Sequence, residues 1–519
     1  MIFSSCDSKA PVISSINPKV GRMGEIITLE GNHFGDSQED SFLTIAGIAP
    51  TASSYYLWQD NLIMVRVPEL GESGLVYVHT NGKRSNGVLY SNIAAVPQPV
   101  DGQELGLKPR IDSVSPQSGA AGTIVTIAGN NFGGSREGGG VFFTWNYSSP
   151  SGNPYSAREP EFIEVSEMEL GFISWNSREI TVRIPDGAVR GNLEVRTAAG
   201  KSLPVFFDAS SPSGSKVFSD KRSYTISVSV DINVLEATRP NSLYLWMPRP
   251  VISPSQRNVK DIAHNTEPFI ENHRGVNLYK LENLTAGSSQ SVTLSFQVDV
   301  YAAETQINPA LVRQNRIPLS ELYTQSSPLI NSDDPEIKTS AAAITGREQN
   351  PYYKARLIYN WIISNNTIEQ TGAAEGDSLS SYSASILYAA MLRASGIACI
   401  PVAGVLVNGH GPALRHFWTE FWLDDFGWVP VDIVMGAEAV PQSFLTREDN
   451  FDYYFGNIDN RRIAFSRGEV VLSQMESRGR LVSHNNSYSL QNIWEEASGG
   501  LDSYSSLWGD VTVTGIYVQ

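Results

Sequence analysis

The stretch from Gly376 to Gly436 constrains the fold of this chain more than any other part of its sequence. Its first half predicts a buried helix, because apolar side chains recur there at helical spacing: Ile386, Leu387, Ala390, Met391 and Ala394. Gly396 follows the last of them, where helices commonly end in a left-handed backbone. Next come a β-branched run, IACIPVAGVLV, and the alternating segment HFWTEFWL, and both are typical of strands. A third short strand, GWVPVD, ends on Asp432.

Three blocks in this stretch have an informative order and spacing: Arg393 with Gly396-Ile397, then His416-Phe-Trp418-Thr-Glu420, then Gly427-Trp428 with Asp432. They resemble the transglutaminase-like (papain-related) catalytic core, which reads C-x11-R-x2-G-I-x-A, then H-x-W-x-E, then G-W-x-x-x-D. The resemblance covers roughly residues 216–436. It implies an α+β core with a Cys-His-Asp site on it.

One position departs from that family pattern. Counting back twelve residues from Arg393, the place of the nucleophilic cysteine holds Ser381. The resemblance therefore implies a site of Ser381, His416 and Asp432, and it assigns supporting roles to Trp418, Glu420 and Trp428. A thiol starts near pKa 8.5 and becomes more acidic beside a histidine, whereas a serine must lose its proton during attack. The family's thiolate–imidazolium chemistry is thus not available to this chain.

Three functions remain open. We favour an inactive transglutaminase-like domain that serves as a binding or structural module, with His416 and Asp432 as a stabilising pair. The alternative is an active amide-bond hydrolase or acyl transferase, of the protease or transglutaminase type, which uses Ser381, His416 and Asp432. The third is an architectural surface lipoprotein in which the N-terminal domains do the work. A metal site of His410, His416 and Glu420 lacks a recognised zinc spacing, so we expect neither a metal nor another cofactor.

The N-terminal region contains a repeat. Gly31-Asn32-His33-Phe34-Gly35 recurs as Gly129-Asn130-Asn131-Phe132-Gly133, and Gly129 lies 98 residues after Gly31. Short alternating segments with Gly/Asn turns at such a period predict tandem β-sandwiches. The motifs resemble the IPT/TIG immunoglobulin-like family. We expect two independent sandwiches, residues 11–96 and 109–207, arranged in series as spacers or adhesion modules.

At 519 residues the chain is too long for one core. The predicted fold is multidomain, with tandem all-β immunoglobulin-like sandwiches, then a β domain and an α+β transglutaminase-like core. Its expected divisions are 1–10 as a tether, 11–96 and 109–207 as sandwiches, 216–305 as a further β-sandwich, 306–436 as the core, and 437–519 as an extension packed on the core.

Charge limits the class of partner. The net charge of −16 argues against nucleic acid and against broad electrostatic binding to anionic lipid. No run of eighteen apolar residues predicts a transmembrane helix. We expect a protein, peptide or glycan ligand at the cell surface.

The two cysteines, Cys6 and Cys399, have different expected roles. Cys399 falls in the predicted buried strand and is expected to be a small core residue. Phe3-Ser4-Ser5-Cys6 resembles a bacterial lipobox, in which the cysteine is lipidated, although Met1 to Ser5 is too short for a signal sequence. We expect an upstream start and a lipid-anchored, extracytoplasmic protein of the bacterial cell envelope, held at the membrane through Cys6.

Overall fold

The structure is a computed structural model that describes residues 9–38, 40–68, 73–92, 107–136, 139–145, 161–166, 171–313, 323–370, 378–484 and 487–518. Cys6, the predicted lipidation site, lies outside them. The predicted fold class is confirmed: strands dominate, β units come first, and an α+β unit lies toward the C-terminus. No helix in the described part of the chain is both long and apolar enough to cross a bilayer.

The first unit is a sandwich of two sheets. Its strands are β1 (Val12–Asn17), β2 (Val20–Gly21), β3 (Ile26–Asn32), β4 (Phe42–Ile45), β5 (Tyr55–Gln59), β6 (Leu62–Arg66), β7 (Gly74–Thr80), β8 (Lys83–Arg84) and β9 (Val88–Asn92). One sheet has the order β1-β3-β6-β5, and the other has β2-β9-β7-β4 with β8 on β7. Alternate residues of these strands, such as Ile27 and Leu29, are buried between the sheets, which is the period of a half-buried strand.

The second unit repeats this arrangement. Its strands are β10 (Arg110–Ser115), β11 (Ile124–Asn130), β12 (Gly140–Trp145), β13 (Phe162–Glu164), β14 (Phe172–Trp175), β15 (Glu179–Arg183), β16 (Ala188–Thr197), β17 (Gly200–Lys201) and β18 (Val205–Phe207). The sheets have the orders β10-β11-β15-β14 and β13-β12-β16-β17, with β18 on β16.

The structure explains the glycine that begins the repeated motif. A Cβ on Gly31 would lie 2.0 Å from the Val12 carbonyl oxygen, and one on Gly129 would lie 2.0 Å from that of Arg110. In each copy the ring of the motif phenylalanine also lies within 2.4 Å of the Cβ position. Only glycine lets the neighbouring strand and this ring approach so closely.

The third unit is a larger sandwich. Its strands are β19 (Gly214–Ala237), β20 (Ser242–Pro248), β21 (Gln256–His264), β22 (Ile270–His273), β23 (Val276–Glu282) and β24 (Ser289–Ile307). β19 and β24 pair antiparallel along most of their length. Every second residue of β19 from Tyr224 to Val234 is buried in the core of this unit, as the alternation of the sequence predicts.

The fourth unit carries the helices. They are α1 (Pro335–Thr345), α2 (Pro351–Asn365), α3 (Ser381–Ala394), α4 (Ile433–Gly436) and α5 (Asn450–Tyr453). Single 3-10 turns lie at Ala52–Ser54, Pro309–Leu311 and Gln442–Phe444. The strands of this part of the chain are β25 (Ile368–Glu369), β26 (Leu379–Ser380), β27 (Cys399–Leu406), β28 (Gly411–Pro412), β29 (Leu414–Leu423), β30 (Gly427–Val431) and β31 (Arg462–Arg467).

The central sheet of the fourth unit has the order β30-β29-β27-β31, and α3 packs on it. The predicted helix is present, with Gly396 at a φ of 77° just after its end. Its predicted face was partly wrong. Tyr388 and Leu392 are fully buried, whereas Ile386 and Leu387 are only partly buried. The helix is covered on several sides, so a simple 3.6-residue pattern does not identify its most buried residues.

The residues after the helical unit contribute strands to other sheets. These strands are β32 (Arg480–Val482), β33 (Glu495–Ala497), β34 (Leu501–Trp508) and β35 (Thr512–Val518). The sheets of the third unit thereby become β21-β24-β19-β35-β28, with β34 on β19, and β22-β23-β20-β33-β32. The C-terminal residues thus complete the third unit.

The two N-terminal sandwiches are not independent, which corrects the expectation from sequence. The hydrophobic core of the second sandwich continues into the fourth unit through Val402, Trp418 and Ala464. In the first sandwich, Phe42 and Ala49 pack into a cluster formed by the third unit and the C-terminal strands. Apolar contact of this kind joins neighbouring units into one body.

Candidate functional site

Helix α3 places Ser381 at its first position. Ser380 caps the helix: its hydroxyl accepts a hydrogen bond from the Ser383 amide at 3.2 Å, and its own amide donates to the Ser383 hydroxyl at 2.8 Å. This reciprocal pair fixes the helix start. Ser381 is therefore the residue that enters the core beside the central sheet, with only 3% of its surface exposed.

Strands β29 and β30 bring His416 and Asp432 together. The two strands form an antiparallel hairpin in which Thr419 pairs with Val431, so that Asp432 emerges beside the first half of β29. His416 Nε2 lies 2.6 Å from Asp432 Oδ2, and both side chains are fully buried. Asp432 also caps α4, because its Oδ1 accepts from the Met435 amide at 3.0 Å.

A buried arginine gives Asp432 a second cationic partner. Arg462 Nη1, on β31, donates to the same Oδ2 at 2.5 Å, and Arg462 Nη2 donates to Asp459 Oδ2 at 3.0 Å. Burial alone would raise the pKa of Asp432, but His416 and Arg462 outweigh it and hold the pKa at about 2. Asp432 is therefore a carboxylate at neutral pH, and it lies between two donors.

Gln370 connects the histidine to the serine. His416 Nδ1 lies 2.9 Å from Gln370 Oε1, and Gln370 Nε2 donates to the Arg415 carbonyl at 2.7 Å. Ser381 Oγ donates to the backbone carbonyl of Gln370 at 3.3 Å. The structure thus brings His416 and Asp432 into direct contact, whereas the hydrogen bond of Ser381 goes to Gln370 rather than to His416.

The contacts of His416 occupy both of its ring nitrogens. Gln370 Nε2 donates to the Arg415 carbonyl, so Gln370 Oε1 faces His416 Nδ1. Asp432 Oδ2 faces the other ring nitrogen, Nε2. Neither nitrogen is therefore left for the Ser381 hydroxyl, which donates to the Gln370 carbonyl.

The other predicted residues lie around this network. Glu420 pairs with Arg467 at 2.6 Å, so it is engaged on the sheet and not at His416. Trp418 stacks near the His416 ring, with ring centroids 6.1 Å apart, and Trp428 is buried against Trp422. Cys399 is fully buried on β27, and burial raises the pKa of its thiol.

Comparison with known proteins identifies the domains. Residues 338–433 match the family model described as the Transglutaminase-like superfamily, and residues 11–92 and 109–219 match that of the IPT/TIG domain. The chain joins two IPT/TIG domains to a transglutaminase-like core.

Individual relatives are distant. A Haemophilus influenzae protein named only as uncharacterized is 25% identical over 278 residues, which span 43% of this chain and 73% of that protein. Among solved structures, a candidate cysteine protease from Cytophaga hutchinsonii covers 59% of this chain and 92% of its own, at 15% identity and a TM-score of 0.34. SGBP-B from a xyloglucan utilization locus in Bacteroides uniformis covers 57% of this chain and 99% of its own, at 12% identity and a TM-score of 0.14.

The transglutaminase-like core contains two site residues that sequence reasoning missed. Gln370 lies eleven residues before Ser381, and no motif precedes α3 to mark it. Arg462 lies in β31, beyond the last block of the family pattern. A buried arginine needs a carboxylate partner, but the sequence does not reveal which carboxylate lies beside it.

Proposed function

We propose that the transglutaminase-like core of this protein acts without acyl-transfer chemistry, as a binding or structural module carried with the IPT/TIG domains. The observation that supports this most directly is the pair of contacts made by His416. Both of its ring nitrogens face oxygen acceptors, Gln370 Oε1 at 2.9 Å and Asp432 Oδ2 at 2.6 Å. A histidine held in this way has no free nitrogen for a general base.

The surroundings of Ser381 support the same proposal. A serine nucleophile must pass its proton to the base during attack. The Ser381 hydroxyl donates instead to the Gln370 carbonyl, which cannot act as a base at neutral pH. Ser381 and His416 are 3% and 0% exposed, so a substrate would also have to displace protein to reach them.

One observation favours the alternative, an amide hydrolase or acyl transferase that uses Ser381, His416 and Asp432. Ser381 begins a capped helix, where the helix dipole favours developing negative charge, and the His416–Asp432 pair is in place. This function requires Gln370 to leave His416, so that Nδ1 becomes available to the serine.

We further propose a location and a class of partner for the protein. The lipobox-like Phe3-Ser4-Ser5-Cys6 and the polar residues that follow suggest a lipid-anchored protein of the bacterial cell envelope. One acyl chain gives only marginal membrane binding, so anchoring at Cys6 would use two or more. The expected ligand is a protein, peptide or glycan outside the cytoplasm, and the acidic net charge of −16 disfavours nucleic acid.

The deciding experiment places a thiol at the candidate nucleophile position. Ser381→Cys in a Cys6→Ser background is treated with iodoacetamide across a range of pH, with and without His416→Ala. In a non-catalytic core, the new thiol should react slowly and only near or above its ordinary pKa of about 8.5, and His416→Ala should change little. The Cys6→Ser protein with Ser381 intact serves as the control for Cys399, whose buried thiol should not react.

Rapid alkylation well below pH 8 that His416→Ala abolishes would overturn the proposal, because it requires a thiolate–imidazolium pair. Turnover of an acyl-transfer or peptide library by the wild-type chain, lost in His416→Ala, would overturn it independently. Either result would support the enzyme that uses Ser381.

A further inference from the structure

Two motif residues, Trp418 and Glu420, remain without a role in the site. Both line a small chamber of about 20 Å³ beside the His416 network. Arg462 lines the same chamber, together with Asp459 and the loop that carries Ser253 and Ser255. The chamber therefore lies where β29 and β31 of the core meet the third unit.

Two of these residues carry buried hydrogen-bond donors that no described residue satisfies. They are Arg462 Nε and Trp418 Nε1. Both residues are 3% exposed, and the Arg462 guanidinium carbon lies 5.2 Å from the Trp418 ring centroid. A buried donor left without a hydrogen-bond acceptor destabilises the folded state. Both donors belong to side chains that line the same chamber, where one acceptor can serve both.

We propose that this chamber binds one ordered water molecule, which accepts hydrogen bonds from Arg462 Nε and Trp418 Nε1. A chamber needs about 10–15 Å³ of free volume to hold one water molecule. The chamber here has about 20 Å³, which accommodates one water and not two. A water also needs acceptors for its own two hydrogens. The Glu420 and Asp459 carboxylates and the serine hydroxyls in the lining supply them.

The chemistry of the lining excludes other small occupants. A metal cation would face two N–H donors, which point their positive ends toward it. A halide would face the Glu420 and Asp459 carboxylates as well as the Arg462 and Arg467 guanidinium groups. Water both donates and accepts, so it alone among these satisfies both kinds of group.

The bound water has a consequence for the network beside it. Arg462 uses Nη1 on Asp432 and Nη2 on Asp459, and the water occupies its remaining Nε. The guanidinium is then held on three sides, and it holds the carboxylate that pairs with His416. Trp418 and the water act here as positioning groups for Arg462.

A crystal structure of the full chain at a resolution that shows ordered waters tests the proposal directly. We expect one density peak within hydrogen-bond distance of both Arg462 Nε and Trp418 Nε1. A chamber without such a peak would overturn the proposal. So would an anomalous signal there from crystals soaked in bromide, since it would identify an anion.

A matched pair of variants provides a second test. Trp428 is also 3% exposed, its Nε1 also lacks a partner among the described residues, and an arginine lies 5.7 Å from its ring, yet it does not line the chamber. Trp418→Phe loses a hydrogen bond to the water, whereas Trp428→Phe loses an unpaired donor. The unfolding equilibrium constant should rise about fivefold more for Trp418→Phe than for Trp428→Phe. An equal or smaller rise would contradict the proposal.

Discussion

Replacing Asp432 with asparagine should destabilise the protein in a pH-dependent manner. The ordinary pKa of an aspartate is 3.8, and His416 and Arg462 hold that of Asp432 at about 2. A shift of nearly two units corresponds to about 2 kcal/mol of stability at neutral pH. Asp432→Asn should lose at least this amount and approach the roughly 3–5 kcal/mol seen when a buried ion pair loses one partner, because Arg462 and His416 stay buried.

The sign of the pH effect follows from the lowered pKa. The stabilisation by the carboxylate is complete above about pH 4, and it is lost as the pH falls toward 2, where the folded protein also takes up the proton. The difference in unfolding free energy between wild type and Asp432→Asn should thus shrink by about 1 kcal/mol between pH 6 and pH 3.

The measurement is urea unfolding of both proteins at several pH values. The transition that is followed is the one in which the transglutaminase-like core unfolds. Asp449→Asn is the control, because Asp449 forms a surface ion pair with Arg447 and its loss should change stability little. If the difference in unfolding free energy between wild type and Asp432→Asn stays constant from pH 6 to pH 3, the carboxylate is not held ionised by its partners. An Asp432→Asn protein as stable as wild type would refute the whole network.

Three further outcomes are expected. Gln370→Ala in the Ser381→Cys protein should free His416 Nδ1 and raise the rate of reaction with iodoacetamide on the order of tenfold, because the thiolate fraction rises tenfold for each unit by which the thiol pKa is lowered. An unchanged rate would contradict the blocking role of Gln370. Lys216→Met should cost about 3–5 kcal/mol in urea unfolding, because Lys216 is buried and bonded to the Asp186 carboxylate at 2.6 Å; a loss as small as that of the exposed Lys338→Met would argue otherwise. Cys6→Ser should abolish labelling by a tagged fatty acid in cells that express the native precursor, and persistent labelling would rule out the anchor.

The pairing of His416 with Asp432 could be predicted from sequence for a physical reason. A short connection between two alternating strands permits only an antiparallel hairpin, and the hairpin register decides which residues meet. The end of α3 was equally accessible, because Gly396 and the apolar pattern mark it. These are local relations, encoded within about fifty residues of chain.

Gln370 and Arg462 could not be predicted, because their roles depend on contacts between elements that no local pattern relates. Arg462 reaches Asp432 only because β31 joins the central sheet beside β27. The two paired strands are about sixty residues apart in the sequence. The contact at His416 Nδ1 likewise depends on Gln370, which lies 46 residues earlier in the chain. The residues of the triad were visible in the sequence, whereas the groups that block or orient them were not.

The shared core between the second IPT/TIG domain and the transglutaminase-like core limits how this protein could be rearranged by recombination. Gly427 has no Cβ, and one there would lie 2.1 Å from an Asp186 carboxylate oxygen. Trp418, Val402 and Ala464 are covered by the same neighbour. A gene fragment that encodes the transglutaminase-like core alone would therefore yield a protein with an uncovered apolar face, and such a protein is prone to aggregate. The second IPT/TIG domain and the core should therefore pass between genes as one unit.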